Sequence, residues 1–420
     1  MQKIEKIICA GCTLLCDDIE VEPHAGHWRL KNTCELGSQY FAQQSPPTQT
    51  HFVDDRVAEI DLAILVAAKI IKKAKSPLIC GLDHLSTEAQ QVSWKIADIA
   101  GATIDTTFTN RGRSSIFSLQ KTGKVTATLG EIGSRSDLVV FWFCDPEATH
   151  PRLLERLNQK GKDRSHRVLV VGDKETATAK RADHFIQVST ENAPELLGRV
   201  RSQLELHTDS KKSAPDPDCS PAIETTASEL LNELVNAQYG SMFFEQVTED
   251  SRFDPAGDSI SRLIRRLNDL TRFVGLKLRT DNNAQSAENV LAWSSGYPFA
   301  ANHSLGHPRQ HGLEFSAESM LQNQQCDAIL FASRLSKLEL VDQLPASARV
   351  HFESIPQIAF STQAMTADVQ FQMGLPGINE AGEYCRVDNI SMPIRKIEPN
   401  DWIPPEVILE KILQNLLTLG

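Results

Sequence analysis

From Leu62 onward, the apolar positions of the chain alternate between helical spacing and short unbroken runs. Leu62-Ala-Ile-Leu-Val66 through Lys75 has the helical spacing and ends in lysines, which suit a helix C-terminus. Pro77–Cys80 is a short apolar run of strand length, and Ser86–Ala100 opens on Ser-Thr-Glu and predicts a helix. Ala102–Thr106 predicts another strand. Asp137–Phe143 is rich in branched and aromatic residues with no alternation, the pattern of a strand buried on both faces. A helix over His150–Gln159, strands over Arg167–Val171 and Phe185–Val188, and a helix over Ala193–Leu206 follow. Strand and helix in such alternation predict a parallel, doubly wound α/β sheet.

The rhythm breaks at residues 207–221, a polar, proline-bearing stretch that predicts a linker or surface insertion. A second α/β series then begins, with helices over 222–237 and Ser259–Leu270 and strands over Ser241–Glu245 and Phe273–Leu278. Further strands are expected over Asp327–Phe331, Arg349–Phe352 and Val369–Met373, and a last helix over Glu406–Leu417. Residues 1–55 differ from both series: they are turn-rich, carry cysteines and lack helical periodicity. The expected organisation is a small N-terminal module (1–55), a first α/β domain (56–206), the linker (207–221) and a second α/β domain (222–420). The two α/β series repeat an order of elements without a residue-level repeat.

Composition narrows what such a chain does. Its 420 residues are 41% hydrophobic and 23% charged, an ordinary globular balance that excludes bulk disorder. With 43 basic and 54 acidic residues the net charge is −11, which argues against a broad nucleic-acid footprint. The longest strongly apolar run, Leu138–Cys144, is far short of the ~20 residues of a membrane helix. No signal-peptide core stands near Met1, so the expected location is the cytoplasm. There, nine cysteines are expected to be metal ligands or buried thiols rather than a disulfide framework.

Four of the nine lie in the first 34 residues, as Cys9-Ala-Gly-Cys12-Thr-Leu-Leu-Cys16 and then Cys34. Three closely spaced thiolates and a distant fourth suit the corners of an iron–sulfur cubane. A four-cysteine zinc site more often uses two C-x2-C knuckles, and the second is missing. Gly11 lets the loop turn tightly. The alternatives at this point are a [4Fe–4S] cluster, which the spacing favours, a zinc ion, and a set of reduced thiols.

The segment Cys9–Ile19 with Asn32-Thr-Cys34-Glu-Leu-Gly37 resembles the start of the formylmethanofuran dehydrogenase B-subunit family, within the molybdopterin oxidoreductase superfamily. Further blocks resemble the family in the same order. They are Ile104-Asp105-Thr106-Thr107, Ser115–Gln120, Thr128–Glu131, Ser136–Trp142 with His150-Pro151-Arg152, Trp293–Phe299, Gly306–Arg309, and Glu380–Asn389. The resemblance spans nearly the whole chain. It implies an N-terminal [4Fe–4S] cluster on Cys9, Cys12, Cys16 and Cys34 and two α/β domains embracing a tungsten or molybdenum pterin. It also implies a small separate subunit that completes the pterin site.

The family's metal-ligating cysteine follows the Ile-Asp block by a few residues, and here Arg111 stands at that position. No cysteine lies between Cys80 and Cys144. A guanidinium is permanently cationic and has no lone pair to give a metal; Arg111 and Arg113 suit an anionic partner or a solvated loop instead. Such a loss resembles the B subunit of the formyltransferase/hydrolase complex. The implied role is a non-catalytic platform for an amidohydrolase-like subunit, a formyltransferase subunit and a C-type subunit. Together these release formate from a formylated methanofuran-type carrier. An active tungsten or molybdenum oxidoreductase subunit, or an iron–sulfur electron relay, is the alternative.

The remaining candidates are weaker. Cys80 and Cys144 end strands, where open α/β sheets place ligands, and are expected to be buried thiols. Cys219 and Cys326 have no ligand-type neighbours in sequence. His150-Pro151-Arg152 suits an anion or a structural cap. His303, His307 and His311 are interrupted by Gly306 and Pro308, which disfavours a three-histidine site. Gly374-Leu-Pro-Gly377 and Gly382 predict tight turns.

Overall fold

The computed structural model describes residues 4–24, 27–43, 48–108, 119–158, 166–209, 220–245, 255–312, 314–398 and 400–419. The chain divides into two units, one made of 1–110 with 281–420 and the other of 111–280.

The first unit is built on a nine-stranded sheet. Its centre is five parallel strands in the spatial order Thr103–Ile104, Pro77–Cys80, Ala328–Ser333, Gln357–Ser361 and Val369–Gln372. Antiparallel pairs flank it, Ala301–Asn302 with Arg309–Gln310 at one edge and His51–Val53 with Arg56–Ala58 at the other. The helices Ile60–Lys73, Thr87–Ala100 and Pro405–Thr418 share one core with one face of the sheet, through residues such as Ile64, Ile96, Phe360, Phe371 and Ile412. Thr87–Ala100 is capped by the Ser86 side chain, which accepts from the Ala89 N–H. A second core, with Phe108, Phe331 and Phe352, includes the helices Ala317–Gln322 and Ala346–Ser354.

Connections from Pro77–Cys80 and from Ala328–Ser333 leave in opposite directions across the sheet, so the strand order reverses between them. Gly81 makes the turn at this reversal with φ +72°, where a Cβ would stand 2.2 Å from the Ala332 carbonyl oxygen. A three-stranded antiparallel sheet (Ile4–Ile7, Ile19–His24, His27–Lys31) holds the cysteine-bearing segment, and a hairpin pairs Gly382–Cys385 with Ser391–Ile394.

The second unit has five parallel strands in the order His184–Gln187, Arg167–Gly172, Leu138–Trp142, Tyr239–Phe244 and Arg272–Lys277. Its order also reverses, between Leu138–Trp142 and Tyr239–Phe244. Helices Ala193–Asp209, Pro221–Val235 and Pro255–Leu267 contribute Leu197, Leu234 and Leu263 to its core. All five residues of Leu138–Trp142 are buried, as an unbroken apolar strand requires.

The doubly wound α/β class expected from the alternation is therefore present. The division of the chain differs from the boundaries at 55, 206 and 222. Strand 77–80 pairs with 328–333 and strand 103–104 with 301–302, whereas 138–142 pairs with 239–244. Sequential order does not reveal that one unit is inserted into the other. The 1–55 boundary shifts as well, because His51–Val53 already belongs to the large sheet.

Arg349–Phe352, expected as a strand, lies inside the helix Ala346–Ser354. Ala348 and Phe352, four residues apart, face the core after an N-terminal Pro345, and the strand is Gln357–Ser361 instead. The helix expected over 150–159 is two short pieces, Pro146–Thr149 and Leu153–Leu157, separated around Pro151. Of the expected linker, 210–219 lie outside the described residues, as do Arg111, Arg113, Ser115–Ser118 and Cys219.

Candidate functional site

Cys9, Cys12 and Cys16 occupy one tight loop after the strand Ile4–Ile7, closed by the Cys9 N–H donating to the Cys16 carbonyl at 2.9 Å. Cys34 arrives from the far end of the small sheet as the N-cap of the helix Glu35–Phe41. Two backbone N–H groups are aimed at sulfur: Gly11 to Cys9 Sγ at 3.4 Å and Gly37 to Cys34 Sγ at 3.5 Å. A Cβ at Gly37 would come within 3.1 Å of Cys9 Sγ, and one at Gly11 within 3.4 Å, so both glycines keep room around the sulfurs. Burial pushes the Cys12 thiol up to about 12, with the charges of Cys16, Cys9 and Cys34 adding to it. The structure thus brings all four sequence-predicted cysteines into one neighbourhood. Among the described residues no three His, Cys, Asp or Glu side chains converge as for a single metal ion. None of the eight described cysteines is in a disulfide.

The seat beneath this loop is polar and buried. Tyr40, from the helix that Cys34 caps, donates its hydroxyl to the Pro376 carbonyl at 2.7 Å. Val387 N–H donates to the Thr13 carbonyl at 2.9 Å. Ile8 and Leu15 pack against Tyr384, Met392 and Ile394 of the C-terminal hairpin.

A second group of side chains stands where the strand order of the first unit reverses, the position at which open α/β sheets place ligands. Asp83 and His84 follow strand Pro77–Cys80, and Arg334 follows strand Ala328–Ser333. Arg334 Nη2 donates to the His84 carbonyl at 3.1 Å and to the Tyr384 hydroxyl at 3.2 Å, while its buried Nε has no partner. Burial, with the Asp281 carboxylate nearby, raises Asp83 to about 7; burial and the Arg334 cation lower His84 to about 3. Glu380 accepts from the Gly374 N–H at 3.0 Å, and burial raises it to about 8 against the pull of Arg334. The segment opposite, Asp281–Asn283, includes Asn282 at φ +40°, a strained conformation for a non-glycine residue.

Sequence reasoning does not single out this group. The available signal is positional: Asp83-His84 and Arg334 each follow immediately on an apolar run of strand length. Beside it, Asp105 of the Ile-Asp block is fully buried and accepts three backbone N–H groups, Thr106 at 2.9 Å, Ala300 at 3.2 Å and Ala317 at 2.7 Å. It fixes the start of the segment that leads to Arg111.

The reversal in the second unit carries Cys144 and Asp145 after Leu138–Trp142 and Glu245 after Tyr239–Phe244. Cys144 is buried and its sulfur lies 3.5 Å from the Phe243 carbonyl oxygen. Burial, then the Glu245 charge, hold its thiol well above the ordinary value. Cys80 is likewise buried and raised, by burial and then by Asp105. His150 Nε2 lies 3.2 Å from the Arg279 carbonyl and Arg152 pairs with both Glu155 oxygens, a structural arrangement at the His-Pro-Arg motif. His303 meets Asp98 at 3.1 Å and His311 pairs with Glu314, so these histidines face separate partners. Cys326 is buried with its thiol raised to about 12 by burial. Gly374 and Gly377 shape the turn around Glu380, with Gly377 at φ +79°.

No family model matches the chain. It is 27% identical over 435 residues to the B subunit of the tungsten-containing formylmethanofuran dehydrogenase 2 of Methanocaldococcus jannaschii, covering 98% of this chain and 97% of that one. The same-named subunit of Methanococcus maripaludis is 27% identical over 441 residues, with 99% of each chain covered. The B subunit of the formyltransferase/hydrolase complex Fhc of Methylorubrum extorquens is 22% identical over 348 residues, 79% of this chain and 86% of that one.

Among solved structures, a chain of the formyltransferase/hydrolase complex from Methylorubrum extorquens aligns with TM-score 0.69 and 19% identity. That alignment covers 88% of this chain and 99% of that one. Acetylene hydratase from Pelobacter acetylenicus aligns with TM-score 0.62 and 12% identity, over 98% of this chain and 69% of that one. The fold is of the molybdopterin oxidoreductase type.

Proposed function

The chain belongs to the formylmethanofuran dehydrogenase B-subunit family, and from that premise we propose that it is a redox-silent member serving a formyltransferase/hydrolase-type complex. It is then the platform on which partner subunits transfer a formyl group to a methanofuran-type carrier and release formate. The partners of this reading are an amidohydrolase-like subunit, a formyltransferase subunit and a C-type subunit.

The observation that carries the proposal is Arg111, which stands where the family's metal-binding thiolate is expected, in a stretch without cysteine from 81 to 143. A tungsten or molybdenum pterin does not fit this donor set. The thiols that bound the stretch, Cys80 and Cys144, are both buried and held in the protonated form, and a guanidinium repels a metal cation.

The N-terminal quartet, by contrast, fits a [4Fe–4S] cluster. Four sulfurs share one neighbourhood, Gly11 and Gly37 leave space that a Cβ would fill, and two N–H groups point at sulfur. A cubane spreads its ligands over a body of several atoms and does not ask them to converge on one ion. Cys9, Cys12, Cys16 and Cys34 are the residues that would hold it; it would supply one-electron chemistry or, in a redox-silent chain, folding free energy. Burial, and after it the charges of the other three cysteines, disfavours a Cys12 thiolate that no cation balances.

A second reading, an active tungsten or molybdenum oxidoreductase, is favoured by one observation: the two tungsten-containing relatives match over nearly the full length. One measurement separates the two. The native complex, purified anaerobically, is assayed for iron, sulfide, tungsten and molybdenum per chain. Iron and sulfide without tungsten or molybdenum is the expected result. Stoichiometric tungsten or molybdenum overturns the platform reading and establishes the second.

A further inference from the structure

The turn Cys385-Arg386-Val387-Asp388-Asn389 joins the strands of the C-terminal hairpin, and nothing in the platform role calls for its charges. Arg386 Nε and Nη2 donate to the two carboxylate oxygens of Asp388 at 2.7 and 2.8 Å. The Asp388 side chain is 0% exposed, so this bidentate pair has a fixed orientation. The backbone holds the turn twice more: Arg386 N–H donates to the Ile390 carbonyl at 2.8 Å, and Asn389 N–H to the Arg386 carbonyl at 2.8 Å. Asn389 takes φ +67° to make the second bond.

The same turn is stitched to the cysteine loop. Val387 donates its N–H to the Thr13 carbonyl at 2.9 Å, between Cys12 and Cys16. Leu15, beside Cys16, packs against Tyr384, Met392 and Ile394 of the hairpin. Cys16 and Asp17 both act electrostatically on the Arg386 guanidinium. A cation on a fixed mount therefore stands next to a loop that collects negative charge whenever its thiols are ligands.

We infer that Arg386, mounted on Asp388, is the charge-compensating residue of the cysteine quartet and sets the reduction potential of the cluster held there. This rests on the cluster reading given above. Four thiolates around an iron–sulfur core leave a net negative charge, and reduction adds another. A fixed cation stabilises the reduced state more than the oxidised one and raises the potential. The buried Asp388 partly offsets that cation. Neutralising the two residues should therefore move the potential in opposite directions, whereas damage to the turn would move it the same way for both.

The test uses the full chain in its native complex, purified anaerobically, with iron and sulfide counted and the potential read by titration followed by electron paramagnetic resonance. Arg386→Gln is expected to lower the midpoint potential and Asp388→Asn to raise it, both with wild-type iron content. Arg386→Lys is expected to stay nearer the wild type than Arg386→Gln. Equal potentials in all four proteins, or shifts of the same sign in the Gln and Asn variants, would overturn the inference. If Arg386→Gln loses its iron, the remaining two variants decide it: a Lys variant that holds iron near the wild-type potential supports the charge role. A Lys variant as depleted as the Gln variant defeats it. A wild-type chain without iron and sulfide fails earlier, at the cluster reading itself.

Discussion

The two units use one strand plan for different ends. Each has five parallel strands whose order reverses in the middle. At its reversal the second unit sets a buried cysteine and a half-buried Glu245 against an apolar core. The first unit fills the same position with Asp83, His84 and Arg334, and adds Glu380, Tyr384, Tyr40 and the cysteine loop nearby. The reversal of the first unit is held by bonded buried polar groups, whereas that of the second lies against packed apolar residues. Buried polar groups cost free energy when a partner is lost, and packed cores when volume changes. The units should therefore fail by different routes.

The largest test of that contrast is Cys12→Ser. It is expected to remove iron and sulfide and to raise hydrogen exchange across the cysteine loop and the hairpin Gly382–Ile394, leaving strand Leu138–Trp142 protected. Equal loss of protection in both units would erase the contrast. Next is Asp105→Ala, which leaves three buried N–H groups without their acceptor. The expected cost is about 3 kcal/mol or more by urea unfolding.

In the second unit the corresponding lesion is steric. A Cβ on Gly240 would lie 2.0 Å from the Phe273 ring, so Gly240→Ala is expected to cost about 1–3 kcal/mol. A silent substitution there would mean that this core yields more than its packing suggests.

Acidity sharpens the comparison further. Asp83 and Glu380 have folded values of about 7 and about 8, above their unfolded ones, so the folded chain holds protons that the unfolded chain releases. That contribution is present below the ordinary carboxylate range and is lost as pH rises through 7 to 8. Glu380→Gln, neutral at every pH, is expected to flatten the alkaline decline of the first unit in thermal scans from pH 5 to 9. An unchanged slope would show that Arg334 keeps Glu380 ionised. The acid flank is shared: His84 is lowered to about 3 and His150 to about 4, each mainly by burial. Stability is lost as pH falls from the ordinary histidine range toward those values. The smallest effect is expected from Arg181→Ala on the exposed Arg181–Glu147 pair, under about 1 kcal/mol by the same unfolding measurement.

Local pattern makes most elements legible, because helices such as Thr87–Ala100 and strands such as Leu138–Trp142 carry their signal within their own residues. Strand Gln357–Ser361 is hidden because Gln357 and Ser361 are polar yet buried, Gln357 Nε2 donating to the Phe352 carbonyl and Ser361 Oγ to the Gln363 carbonyl, bonds that only the folded chain supplies. The division into units is hidden for a different reason: strand partners as far apart in sequence as Pro77 and Ala328 leave no mark on either segment. The cysteine quartet is visible because three of its members stand close together in sequence, at 9, 12 and 16. The Asp83–His84–Arg334 group is not, since its members come together only through the strand order. The role of Arg386 needs the hairpin, as its link to Thr13 crosses most of the chain.

The insertion of residues 111–280 into the first unit also sets an order of events during synthesis. Emerging from the ribosome, the second unit has all five of its strands once residue 277 has appeared. The first unit must wait, because Pro77–Cys80 finds its neighbour only when Ala328–Ser333 is made. The cysteine loop, though translated before either sheet, reaches its seat only when Pro376 and Val387 arrive to meet Tyr40 and Thr13. The four thiols therefore precede the residues that seat them by more than 300 positions. On the cluster reading proposed above, loading is a late step, gated by synthesis of the hairpin.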